Sequence, residues 1–189
     1  MSLIPFGFWA ASGAGGGGGP AYDLLETTTL GSSASSVTFS GLGAYSDYAH
    51  LQVRLIARGN RSATIADTFL QINGDTGSNY AKHALYGTGS SVSSFGSAST
   101  TNIQIGITPA STNTANLFGP SVVDILDFNS TSKNKTVRSL FGNAGSTSFI
   151  GFYSGLWADT EAVTSLLIYP QANDFIAGSR FSLYGIKGA

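Results

Sequence analysis

Apolar and polar side chains alternate in short bursts along most of this chain, with the period of two that a half-buried strand imposes. In the stretch 48–57, YAHLQVRLIA, Ala49, Leu51, Val53 and Leu55 fall on one face and His50, Gln52, Arg54 and Ile56 on the other. A helical period also threads residues 47–58, but Val53, Leu55 and Ile56 favour a strand. The run 175–188, FIAGSRFSLYGIKG, follows a turn signal at Ala172-Asn173-Asp174. From Arg180 it places Phe181 and Leu183 on one face and Arg180, Ser182 and Tyr184 on the other. This predicts a closing strand with Phe181 and Leu183 buried, and with Gly178 permitting a bend or bulge.

Further strand signals cover 22–30, 36–40, 65–72, 79–86, 103–107, 122–128, 136–141, 148–157 and 162–169. Turn residues such as Asn73-Gly74-Asp75 and the polar stretch 129–135 separate them. Residues 87–99, rich in Gly and Ser, read as a loop, as do 109–116. Many short strands at even spacing, with no convincing amphipathic helix, predict an all-β fold. The form expected is an antiparallel, jelly-roll-like β-sandwich over residues 21–189.

Residues 1–20 break the pattern. Leu3, Ile4, Phe6, Phe8 and Trp9 crowd seven positions, and residues 13–19 are almost wholly glycine. Glycine loses the most backbone entropy on ordering, so 13–19 read as a flexible tether and the whole as an extended N-terminal arm. Five large apolar side chains on a leash are costly in water unless they dock. They either fold back on their own domain or fill a groove on a neighbouring subunit. No Lys or Arg precedes the apolar run, and Pro5 and Gly7 break a helix early, against a secretory signal.

Composition narrows the function. At 189 residues the chain suits one domain beyond the arm, and its 42% hydrophobic content can build a core. Only 10% of residues are charged, far below the usual roughly 25%. Ser, Thr, Gly and Asn carry solubility instead, as suits a dense assembly where like charges would repel. A formal net charge of −1 supplies no basic field for nucleic acid. The absence of Cys excludes disulfides and thiolate ligands. No apolar run reaches the roughly 18 residues a membrane-spanning helix needs, so no membrane insertion is expected.

Candidate chemistry is sparse. No Gly-x-Ser-x-Gly elbow occurs, and His50 and His83 fall in separate strand candidates, which reads as sheet packing rather than a catalytic triad. Asp124 and Asp127 are three apart, so on one strand they point to opposite faces. Pairing with Arg138, Lys133 or Lys135 across the hairpin is the simpler role than glycoside hydrolysis. Asp159 and Glu161 lie in a polar connection. Asp75-x-Gly77-x-Asn79 lacks the acidic density of a calcium loop and reads as a hairpin turn. The glycines at 15–19 lack the following Lys-Ser/Thr of a phosphate loop. Sequons at Asn60, Asn129 and Asn134 carry little weight at this Ser/Thr content. Tyr80, Tyr86, Tyr153, Trp157 and Tyr169 read as packing residues, with a sugar-stacking platform as the alternative. No catalytic residue, cofactor or metal is expected.

Four blocks together resemble a group of small structural proteins of tailed bacteriophages, common among phages of aquatic bacteria. They are INGDTGSNY (72–80), VVDILDFNSTSKNKTVRSLFG (122–142), SGLWADTEAVTSL (154–166) and GSRFSLYGIK (178–187). The resemblance spans about residues 22–187 and extends to the aromatic, Gly-rich leader. It implies a non-enzymatic β-sandwich assembled in the host cytoplasm and carried in the virion, as a capsid decoration (cement) protein or a tail or fibre component. By analogy with projecting virion parts, a homo-oligomer is expected, a trimer above all. On this reading Leu3, Ile4, Phe6, Phe8 and Trp9 bind other virion proteins. Asp124, Asp127, Arg138, Trp157, Gly178, Phe181, Leu183 and Tyr184 are structural. The alternative is a host-receptor or glycan-binding module of the tail, using loops 87–100 and 108–118.

Overall fold

The computed structural model describes residues 21–188, and the expected arm (1–20, with Leu3, Ile4, Phe6, Phe8 and Trp9) lies outside them. Twelve strands follow in order. They are β1 (Tyr22–Thr29), β2 (Val37–Ser40), β3 (His50–Ala57), β4 (Ile65–Ile72), β5 (Tyr80–Gly87) and β6 (Val92–Thr100). The second half holds β7 (Ile103–Pro109), β8 (Gly119–Leu126), β9 (Lys135–Asn143), β10 (Phe149–Trp157), β11 (Ser165–Pro170) and β12 (Arg180–Ile186). A single 3₁₀ turn, Leu42–Tyr45, separates β2 from β3.

The strands form two antiparallel sheets packed as a β-sandwich. The larger has the order β1-β12-β3-β8-β9-β10-β5-β6, and the smaller β2-β11-β4-β7. Twelve strands divide eight to four, where a simple jelly roll has eight in all. The alternation in β3 sends Leu51, Val53, Leu55 and Ala57 inward. They meet Phe39, Leu70, Ile72, Ile103, Leu166 and Ile168 of the smaller sheet, each at 1% exposure or less. Each such side chain contributes roughly 1.5–3 kcal/mol on burial.

The closing strand β12 lies between β1 and β3, with Phe181 and Leu183 at 0% exposure and Phe181 against Phe175. Gly178 is not a bulge within this strand. It occupies the preceding turn at φ +87°, with its N–H donating to the Leu30 carbonyl. The bulge belongs to β1, between Leu24 and Glu26.

Sheet ends are treated unequally. β7 ends the smaller sheet, yet all seven of its positions are buried, because β5, β8, β9 and β10 pack against it. A satellite cluster of Ala84, Ile107, Phe141 and Tyr153 seals this corner. At the end of the larger sheet, β6 is the opposite case, exposed at eight of nine positions. The Gly/Ser-rich stretch 87–99, read from sequence as a loop, is therefore largely strand. Largely exposed on both faces, it has no reason to alternate, and β5 is its one strand partner among the described residues.

Candidate interaction surface

Among the described residues the outer face of the larger sheet faces no other layer, and strand register arranges its side chains in rows. One row runs Ser182, Arg54, Val122, Leu140, Phe152, Leu85 and Ser94 across seven strands. A second brings Ile56 beside Pro120, and Gly142, Ile150, Gly87 and Val92 beside one another. Leu140 is 56% exposed, Phe152 49%, Leu85 53%, Ile150 65% and Val92 76%. Their chain neighbours Phe141, Tyr153 and Ala84 point into the sandwich and are buried. Clustered exposure of this kind marks a surface made to be covered. Between Val122, Leu140 and Ile150 it dips into a recess of about 260 Å³, floored where Gly142 lacks a side chain.

The next row is polar: Tyr184, Gln52, Asp124, Arg138, Ser154, His83 and Gly96. Asp124 accepts from Arg138 Nε at 2.8 Å and from Gln52 Nε2 at 2.7 Å. The Gln52 amide oxygen in turn accepts from Arg54 Nε at 2.7 Å. The Arg54 guanidinium stacks over Tyr184, 4.5 Å from the ring centroid, and reaches Tyr22 at 5.4 Å. Asp124 and Arg138 neutralise each other, while Arg54 is held by a neutral amide and two aromatic rings. What the face offers chemically is desolvation: an apolar field beside a hydrogen-bonded polar margin.

The other sequence candidates are distributed through the fold. Asp127 lies just past β8 at φ +48° and pairs with Lys133 at 2.7 Å, which holds its carboxyl below the usual range. Its backbone N–H donates to His50 Nδ1 at 2.9 Å. His83 sits on β5, four strands across the sheet from His50 on β3. Lys135 is wholly buried, donating to the carbonyls of Lys133 and Thr160, and burial lowers its pKa. Asp75 closes its own turn, accepting from Gly77 N–H, Asn79 Nδ2 and Trp157 Nε1. The expected hairpin is not formed: β4 lies in the smaller sheet and β5 in the larger, so this turn carries the chain from one sheet to the other, with Asn73 and Gly74 both at positive φ. Asp159 caps Glu161 N–H, Asn60 accepts from Asp174 N–H, and Asn129 donates to Ser46 O.

A sugar-stacking platform does not form from Tyr80, Tyr86, Tyr153, Trp157 and Tyr169. Tyr80, Tyr153 and Trp157 are at most 2% exposed, and burial pushes the Tyr80 hydroxyl up to about 12. Tyr86 and Tyr169 are half-buried against Phe95, Phe149 and Phe69. The stretch 108–118 is likewise anchored rather than free. Arg58, 6% exposed, donates to the carbonyls of Ser111, Asn113, Thr114 and Leu117. Among the described residues, no three of His, Cys, Asp and Glu are placed to share a metal ion, and no helix is long and apolar enough to cross a membrane.

Sequence reading missed the outer apolar rows. Their signal is adjacency: Leu140-Phe141, Phe149-Ile150 and Phe152-Tyr153 put large apolar side chains on both faces of one strand. That doubling is the mark of a strand covered on both sides.

These features define an antiparallel two-sheet β-sandwich with an apolar sheet face that no other described residues cover. Comparison with protein-family models, curated proteins and solved structures finds no match.

Proposed function

We propose that the chain is a non-enzymatic structural component of a bacteriophage virion, a capsid decoration or a tail or fibre part. It acts by adhesion, with the N-terminal head (Leu3, Ile4, Phe6, Phe8, Trp9) docking on other virion proteins and the sandwich assembling as a homo-oligomer, a trimer above all. The observation that carries the reading is the exposed field of Ile56, Leu140, Ile150, Phe152, Leu85 and Val92, which suits a protein whose surface is meant to be covered. The low charge content and the four resembling sequence blocks point the same way. The test is incorporation: chains lacking residues 2–12 stay folded but fail to join particles. Normal incorporation of the truncated chain refutes the attachment role. Copy number separates the placements, with hundreds per particle for a decoration protein and a few tens at most for a fibre part.

A further inference from the structure

We infer that the apolar outer face of the larger sheet receives the Leu3–Trp9 head of a second copy of this chain, so that copies are linked by exchanged arms. The inference rests on the docking role proposed for the head and names its receptor. The chemistry matches on both sides. The head offers five large apolar side chains within seven positions, and the face offers Leu140, Phe152, Leu85 and Ile150, each about half exposed or more. The low relief of Gly142 and Gly87 beside Ile150 leaves room for a bulky ring to lie flat.

The exit path of the arm favours a second copy over the chain's own face. β1 starts at Tyr22, opposite Ile186, and runs towards Thr29, opposite Arg180. The apolar rows align with Ser182 and Arg180, at the Thr29 end. The backbone therefore leaves Tyr22 heading away from its own apolar rows.

To return, it must reverse and cross five strand spacings to β10, about 24 Å, while travelling roughly 16–20 Å back along the strands, a diagonal of about 30 Å. The 12 residues from Ala10 to Ala21 span at most about 40 Å fully stretched and, as a Gly-rich coil, on the order of 19 Å. Docking at home demands a reversed and largely stretched tether. A neighbour standing beyond the Tyr22 end meets the arm along its natural direction.

The test is complementation, read by sedimentation velocity. Two variants are made, one lacking residues 2–12 and one carrying Leu140→Asp with Phe152→Asp. Both changed side chains are exposed, and a Leu140→Ser/Phe152→Ser version serves if the charged pair misfolds by circular dichroism. The full chain self-associates, and each variant alone does so at least tenfold more weakly. An equimolar mixture regains association, because heads from one variant find intact faces on the other. A synthetic peptide of residues 1–12 binds the head-deleted chain and not its face variant.

A mixture that stays monomeric overturns the inference, as does a head-deleted chain that associates like the full one. A monomeric full chain whose head is nonetheless shielded also overturns it, by showing docking at home. If the head-deleted chain is excluded from particles while the mixture fails to associate, only the second-copy receptor falls. If it joins particles, the docking role itself falls.

Discussion

The indole Nε1 of Trp157 donates to the Asp75 carboxylate at 2.7 Å, tying a core ring from β10 to the turn after β4. Trp157 is 1% exposed, so its N–H has no route to water. Removing the acceptor by Asp75→Ala leaves a buried donor unpaired, at a cost of about 1–3 kcal/mol in urea unfolding. The bonds from Trp157, Asn79 and Gly77 hold the Asp75 carboxyl below its ordinary range. A lowered folded-state pKa stabilises above the unfolded value near 4, and that stability fades as pH falls through the folded value. Asp75→Asn therefore flattens the stability–pH curve below about pH 4. An unchanged acid limb contradicts this assignment.

Arg58 organises the loop 110–118 through four carbonyl acceptors and no carboxylate. Arg58→Met keeps the aliphatic stem but orphans those carbonyls, so a loss of about 3 kcal/mol or more is expected. Arg58→Lys rescues only part of it, because an ammonium lacks the planar fork. Amide exchange at 111–117 quickens in both variants, more in the first.

Gly155 on β10 faces Ile103 of β7 so closely that a methyl group has no space. Gly155→Ala is expected to destabilise by about 1–3 kcal/mol through overpacking. Trimming the opposite side chain with Ile103→Val recovers part of the loss, giving a non-additive double-mutant cycle. Simple additivity places the strain elsewhere.

Strand β6 is attached through β5 and through Phe95, whose ring meets Tyr86 at 6.4 Å and Tyr153 at 6.0 Å between centroids. Aromatic pairs of this kind supply about 0.5–1.5 kcal/mol each beyond burial. Phe95→Ala therefore raises amide exchange in 92–100 by about tenfold while leaving β3 and β12 protected. Equal loosening of all strands contradicts a locally held hairpin.

How far the fold is legible in the sequence depends on where water stands. β3 and β12 alternate because one face meets the core and the other does not, so Leu51, Val53, Phe181 and Leu183 are readable directly. β6 is illegible by the same rule, since Ser93, Ser94, Ser97 and Ser99 face solvent on either side. Gly178 shows a subtler limit: the need for positive φ is readable, but not whether it serves a bulge or a turn. The burial of Arg58 and Lys135 follows from backbone carbonyls gathered from distant segments, which no local pattern encodes. The apolar field was visible only as doubled residues such as Phe152-Tyr153, where the period of two hides one face behind the other.

The insertion of β12 between β1 and β3 has a consequence for the order of synthesis. Among the described residues β1 pairs with no other strand than β12, so the first strand of the described domain has no full partner until Arg180–Ile186 have been made. β1 thus waits, while the roughly 150 residues between the two strands are made, and closure of this long-range pairing is expected to be a late and slow event. The strand that carries the arm is fastened last, so a half-made chain has no anchored head to offer a neighbour.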